Sequence, residues 1–226
     1  QRQMCIRDSL YNGAGASPAT AEWYPFKAAW LREHEPETYR KAAHLVDAPD
    51  WVTFKLTGEW TTNINSAAIR MYYNRDKGGW PEDFYQTIGC GDVFDKIPER
   101  VLDLGTPVGT LATIPAQLLG LRPGIPVAQG LADAWAGQIG LGVLSAGSMA
   151  LITGSSHVLT GQADTEIHGE GFFGAYPDGV MPGQYTVEAS QVPTGSVLKW
   201  FKDNFVADYT AAAEKIGLNP YDVLNE

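Results

Sequence analysis

Cysteine is almost absent from these 226 residues: Cys5 and Cys90 are the whole supply, far apart and without metal-ligand spacing. That excludes a disulfide framework and a thiolate metal centre, and it fits a reduced, cytoplasmic setting. Basic residues are also short, 16 against 26 acidic, for a net charge of −10. A surface of that sign does not suit nucleic acid. It still admits an anionic nucleotide, whose phosphates are held locally by backbone groups and metal ions. No apolar run approaches the ~18 residues of a membrane span, so no membrane partner is expected. A signal-peptide pattern of charged start, apolar centre and small-residue cleavage site is missing as well.

What is present is ordinary globular material, 44% hydrophobic and 19% charged. The length suffices for one large domain or two small ones. Seven Trp and ten Tyr suit a carbohydrate site, and they suit an aromatic core equally well. The most informative stretch runs from Ile125 to Thr160. Ile125 to Ala128 has the length and composition of a strand, Gln129-Gly130 breaks it, and Asp133 stands where a helix begins. Ala134 to Gly142 carries Ala134, Ala136, Gly137, Gly140 and Gly142, so that helix must approach a neighbour closely. Met149 to Ile152 reads as a buried strand, Thr153-Gly154-Ser155-Ser156 as a tight turn, and Val158 to Thr160 as a returning strand.

Chemically this pairs a carboxylate at a strand-to-helix junction with a Gly-Ser-Ser turn. Such a turn offers backbone N–H groups and hydroxyls to a phosphate. An acid that accepts an alcohol proton, facing a loop that holds nucleotide phosphates, is a phosphoryl-transfer constellation. The bland alternatives are an N-cap aspartate and an ordinary hairpin turn. Hydrolysis through His157 is excluded, because neighbours on a strand point to opposite faces and no G-x-S-x-G elbow is present.

The segment G-L-A-D-A-W-A-G resembles the (G)GxDAxAG element of the FGGY family of carbohydrate kinases, and L-I-T-G-S-S-H resembles its second phosphate loop. The resemblance runs from about Ala21 to at least Lys202 and is nearest the ribulokinase-like branch. It implies an α/β, actin/hexokinase-like (ribonuclease-H-like) fold, with the C-terminal part of domain I followed by the start of domain II. Residues 10–142 would be the first of these, carrying the sugar and the catalytic base. Residues 143–226 would be the second, carrying the phosphate loop. Residues 1–9 match nothing in the family and read as a non-native leader. The family's amino-terminal D-x-G-T phosphate loop and its adenine-binding glycine loop are both missing, so the resemblance implies an internal fragment, inactive alone.

By the same resemblance Asp133 is the catalytic base, and Thr153, Gly154, Ser155 and Ser156 contact the phosphates of ATP with its Mg²⁺. Trp23, Arg70 and Glu188 join Asp133 around the sugar. Arg70 stands where relatives carry lysine, and a planar fork reads hydroxyls differently from a point charge. Each has a structural alternative: Trp23 as a core residue, Arg70 as an ion-pair partner, Glu188 as a solvated strand acid. The expected activity is ATP-dependent phosphorylation of a ketopentose (ribulose- or xylulose-like) or related polyol. The alternative is a non-catalytic sugar-binding or actin-like ATPase module. A homodimer is left open.

Elsewhere Pro25 starts a helix containing Phe26 and Trp30, and Pro36 starts the next. Tyr39 to Leu45 reads as a short helix, Leu45-Val46 as a buried strand, and Asp50 to Gly58 as a packing helix closed by a glycine cap. Trp80 to Gly89 reads as an exposed helix and Cys90 as an inert small residue. Tyr185 to Gln191 reads as a strand, and Thr194 to Phe205 as an amphipathic helix.

Overall fold

The computed structural model describes residues 21–154, 156–191 and 193–224. The 1–9 leader, Cys5 and Ser155 lie outside the described residues.

The first part of the chain is helical. Pro25 opens α1 (Tyr24–His34) and Pro36 opens α2 (Pro36–Lys41). Proline suits a first helical turn, where its missing N–H has no partner to lose. The second helix stops at Lys41, and residues 42–47 are irregular, so Leu45 and Val46 form no strand. Leu45 instead donates its N–H to Lys96 O, and its carbonyl accepts from the Tyr24 hydroxyl at 2.9 Å. Two apolar residues were too few to define a strand without a neighbouring partner. Next, α3 (Ala48–Thr57) ends on Gly58 at φ 83°, the left-handed cap expected of that glycine.

After β1 (Thr62–Asn63), the short helix α4 (Ile64–Met71) is buried on nearly every face, and only Arg70 keeps partial exposure. Asn63 caps it by accepting from Ser66 N–H at 2.7 Å. α5 (Glu82–Thr87) corrects the expectation of an exposed helix, because Phe84 and Tyr85 are 2% and 0% exposed. They belong to an aromatic core in which Trp23 meets Tyr72 edge-to-face at 5.1 Å and Tyr72 meets Phe84 at 5.3 Å. Cys90 is buried in the same core, and burial pushes its thiol up to about 12. That burial agrees with its reading as a small packing residue.

β2 (Val101–Leu102) pairs in parallel with β1. β3 (Pro107–Thr110) is followed by α6 (Thr113–Leu119) and pairs antiparallel with β4 (Pro126–Ala128). α7 (Asp133–Gly140) leads to the second part, a four-stranded antiparallel sheet. Its strands are β5 (Met149–Thr153), β6 (His157–Ala163), β7 (Gly174–Pro177) and β8 (Tyr185–Gln191), in the order β5-β6-β8-β7. β5 is an edge strand rather than a buried one: Met149 and Leu151 are half exposed and Ala150 is buried. The close approach expected of α7 occurs at Gly137, where a Cβ would stand 3.1 Å from Ile152 Cδ1. Three helices follow, α8 (Gly195–Phe205), α9 (Ala207–Lys215) and α10 (Pro220–Val223). Ala68, Ile69, Trp135, Tyr176 and Val180 form a second core that joins the two parts.

Among the described residues no helix is long and apolar enough to cross a membrane.

Candidate active site

At the junction of the two parts lies a cavity of about 520 Å³, lined among others by Trp23, Arg70, Asp133, Ser156 and Glu188. That volume is in the range of about 300–1,000 Å³ typical of small-molecule sites.

Trp23 is the residue just before α1, and its carbonyl accepts from the N–H groups of Phe26 and Lys27. Its ring is 3% exposed and packs on Tyr72. Trp23 is thus a core residue, and it also lines the cavity. Lys27, one turn further along α1, lines it too.

Arg70 sits in the last turn of α4, and Glu188 in the middle of β8 between Thr160 and Gly174. Their side chains meet in a two-pronged pair, Nη1 to Oε2 at 3.3 Å and Nη2 to Oε1 at 3.5 Å. The Tyr176 hydroxyl also donates to Glu188 Oε2 at 3.2 Å. Arg70 keeps 31% of its side-chain exposure and Glu188 only 6%, so the guanidinium is the more open side of the pair. Burial works against the guanidinium's charge, but Glu188, Tyr176 and Asp47 together outweigh it and hold Arg70 above its ordinary range. Burial and then the Glu188 charge push the Tyr176 phenol well above its own. Glu188 is thus no solvated strand acid.

Asp133 is the first residue of α7, not its cap; Ala132 occupies that position with extended backbone. Its Oδ1 accepts from Ala134 N–H at 2.9 Å, and the side chain is exposed. The loop that delivers it is fixed from behind. Gln129 is buried and donates from Nε2 to Asp50 Oδ1 at 3.0 Å, while its Oε1 accepts from Thr61 at 2.8 Å. Asp50 Oδ1 also accepts from Asn63 N–H and Nδ2 at 2.9 and 2.8 Å. Burial outweighs these hydrogen bonds and pushes the Asp50 carboxyl up to about 6. Asn65 ties the same loop to the second part, accepting from Ala132 N–H at 3.3 Å and donating to Gly179 O at 2.8 Å.

The turn between β5 and β6 contributes Ser156 to the cavity lining, while Thr153 and Gly154 stand outside it. Gly154 N–H closes the turn on Ser156 O at 2.9 Å, so this amide is already spent. The structure therefore gathers Trp23, Arg70, Asp133, Glu188 and Ser156 around one space.

Four contributors were missed in the sequence. Trp135 is buried under Arg70, whose guanidinium carbon stands 5.0 Å from the ring centroid. Its signal was present, two residues past Asp133 in the D-A-W-A-G segment, but nothing local says which helix it faces. Nothing in the sequence around Tyr176 or Asn65 singled either residue out. Asp50 was read as packing alone, and its burial, invisible in sequence, makes it a positioning group.

Residues 9–140 match the family model described as the N-terminal domain of the FGGY family of carbohydrate kinases. A ribulokinase from Anoxybacillus flavithermus is 30% identical over 213 residues, covering 92% of this chain and 37% of the relative. Among solved structures, a xylulose kinase from Rhodospirillum rubrum superposes with a TM-score of 0.70 at 23% identity, covering 87% of this chain and 39% of that one. A gluconate kinase from Lactobacillus acidophilus does so with a TM-score of 0.71 at 16% identity, covering 93% and 40%. The fold is thus part of the actin/hexokinase-like fold of sugar kinases. With a family model matched over more than half of its length, the chain belongs to the FGGY family of carbohydrate kinases.

Proposed function

We propose that this chain forms the sugar-binding and proton-accepting side of an ATP-dependent kinase acting on a ketopentose or related polyol. The observation that carries the reading is the meeting of Trp23, Arg70, Asp133 and Glu188 on one cavity, although they come from four different elements. The names of the similar proteins span ribulose, xylulose and gluconate, so they support a sugar kinase without choosing the sugar.

In this reading the sugar lies against Trp23, with its hydroxyls between Arg70 and Glu188. Asp133 takes the proton from the attacking hydroxyl as that oxygen bonds to the γ-phosphorus. The bond from the γ-phosphorus to the β–γ bridging oxygen breaks, and ADP leaves with that oxygen. Ser156 stands at the phosphate end. Thr153 ends β5 and Gly154 follows it, both outside the cavity lining, and their contact with phosphate, like that of Ser155, is part of the proposal. Mg²⁺ bound with the nucleotide supplies charge neutralisation across the transferring group. Among the described residues no group of three or more His, Cys, Asp or Glu is arranged for a metal. Closure of the two parts would exclude water and suppress idle ATP hydrolysis.

A coupled ADP-release assay on the gene product carrying this chain, over a panel of ketoses and polyols, tests the reading. Sugar-stimulated turnover that disappears in Asp133→Asn is the expected result. Turnover that no sugar stimulates sinks it.

A further inference from the structure

We infer that the cavity selects neutral polyhydroxylated substrates and rejects those carrying a carboxylate, and that the Arg70–Glu188 pair sets this preference. The inference rests on the sugar-kinase reading above and narrows its substrate class.

Three observations carry it. Arginine's use in recognising a carboxylate is its planar fork, which grips both oxygens at once. Here the two terminal nitrogens of Arg70 already engage the two oxygens of Glu188, at 3.3 and 3.5 Å. Trp135 covers the flat face of the same guanidinium at 5.0 Å. The side chain is therefore held in place with its charge matched by a protein acid, and little of it is left to balance a substrate anion.

The rest of the lining reinforces this. Its acids are Glu22, Asp47, Asp133 and Glu188, and its cations are Lys27 and Arg70. Lys27 is solvent-exposed and shares the lining with Glu22 and Asp47, so its pull on an anion is diluted by water and by those acids. A sugar hydroxyl suits such a wall, since it can accept from an outward guanidinium N–H and donate to a Glu188 oxygen in one contact. A carboxylate only accepts, and it would bring a further negative charge to a lining whose four acids already outnumber its two cations. Two like charges ~4–6 Å apart at an effective dielectric of ~20 cost enough for about a 10²-fold loss of affinity. The nucleotide escapes this penalty because its phosphates arrive with Mg²⁺.

The test uses matched pairs that differ at one end group, ribitol against ribonate and xylitol against xylonate, with ribulose as a reference. Binding is read from tryptophan fluorescence, because Trp23 and Trp135 both line the cavity, and phosphorylation from ADP release. The wild type should favour each polyol over its aldonate by about 10²-fold. Glu188→Gln, which releases the Arg70 fork, should narrow that gap by about tenfold or more, while Glu188→Asp should keep it. An aldonate bound or phosphorylated within about threefold of its polyol overturns the inference and leaves the kinase reading standing. A preserved preference with an unchanged gap in a folded Glu188→Gln overturns the assignment to the pair. Should that variant lose its far-ultraviolet circular dichroism, the wild-type ratio alone decides. If no sugar of either kind binds or is phosphorylated, the kinase reading falls and this inference with it.

Discussion

Arg70 on α4 and Glu188 on β8 stand 118 positions apart in the chain and meet as a two-pronged pair in the wall of one cavity. Removing one partner should cost more than removing both. In Arg70→Met the Glu188 carboxylate stays buried with only the Tyr176 hydroxyl to answer it, and a loss of about 2–4 kcal/mol is expected, since Arg70 is itself partly open to water. The double variant Arg70→Met, Glu188→Met should recover at least half of that loss. Urea unfolding of the single and double variants measures it, and strictly additive losses would contradict the pairing energetics.

The role proposed for Asp133 predicts the opposite behaviour, a loss of turnover without a loss of stability. Its side chain is exposed, and its Oδ1 bond to Ala134 N–H survives in asparagine. Asp133→Asn should shift folding stability by no more than about 0.5 kcal/mol. It should lower kcat by about 10³-fold with sugar affinity nearly unchanged, because only the proposed proton acceptor is lost. Single-turnover rates beside unfolding curves separate the two effects.

The buried Asp50 gives the fold a pH signature. Burial raises its carboxyl from 3.8 in the unfolded chain to about 6. The protonated form is therefore the one that folding favours. This contribution is complete below pH ~4 and is lost as pH rises through ~6. Relative to Asp50→Asn, which cannot ionise, the wild type should lose about 2 kcal/mol of stability between pH 4 and pH 7. Unfolding of both proteins across that interval checks the sign. A difference that stays flat, or that grows in favour of the wild type, contradicts it.

Gly137 marks where α7 presses on β5. A methyl there would stand 3.1 Å from the flexible end of Ile152, so Gly137→Ala should stay within about 1 kcal/mol as helix propensity offsets the tight contact. Gly137→Leu has no room and should cost about 1–3 kcal/mol. Thermal melts of the two variants should fall in that order.

The sequence by itself determined the local punctuation and the order of elements in the central stretch. Pro25 and Pro36 start helices and Gly58 stops one, because these residues constrain their own backbone whatever surrounds them. Asp133 at a helix start beside a Gly-Ser turn, and the strand from Tyr185 to Gln191, were legible for the same reason.

Only the tertiary structure decided burial and partnership. Leu45-Val46 has a strand's composition but no partner strand, Met149 to Ile152 has a core's composition but an edge position, and Phe84 and Tyr85 are buried by residues distant in the chain. Which acid Arg70 would meet, that Trp135 would lie beneath it, and that Asp50 would be shut from water are likewise long-range facts. A residue carries its own backbone preferences and ionisable groups along the chain. Its neighbours in space are set by how all the other segments pack.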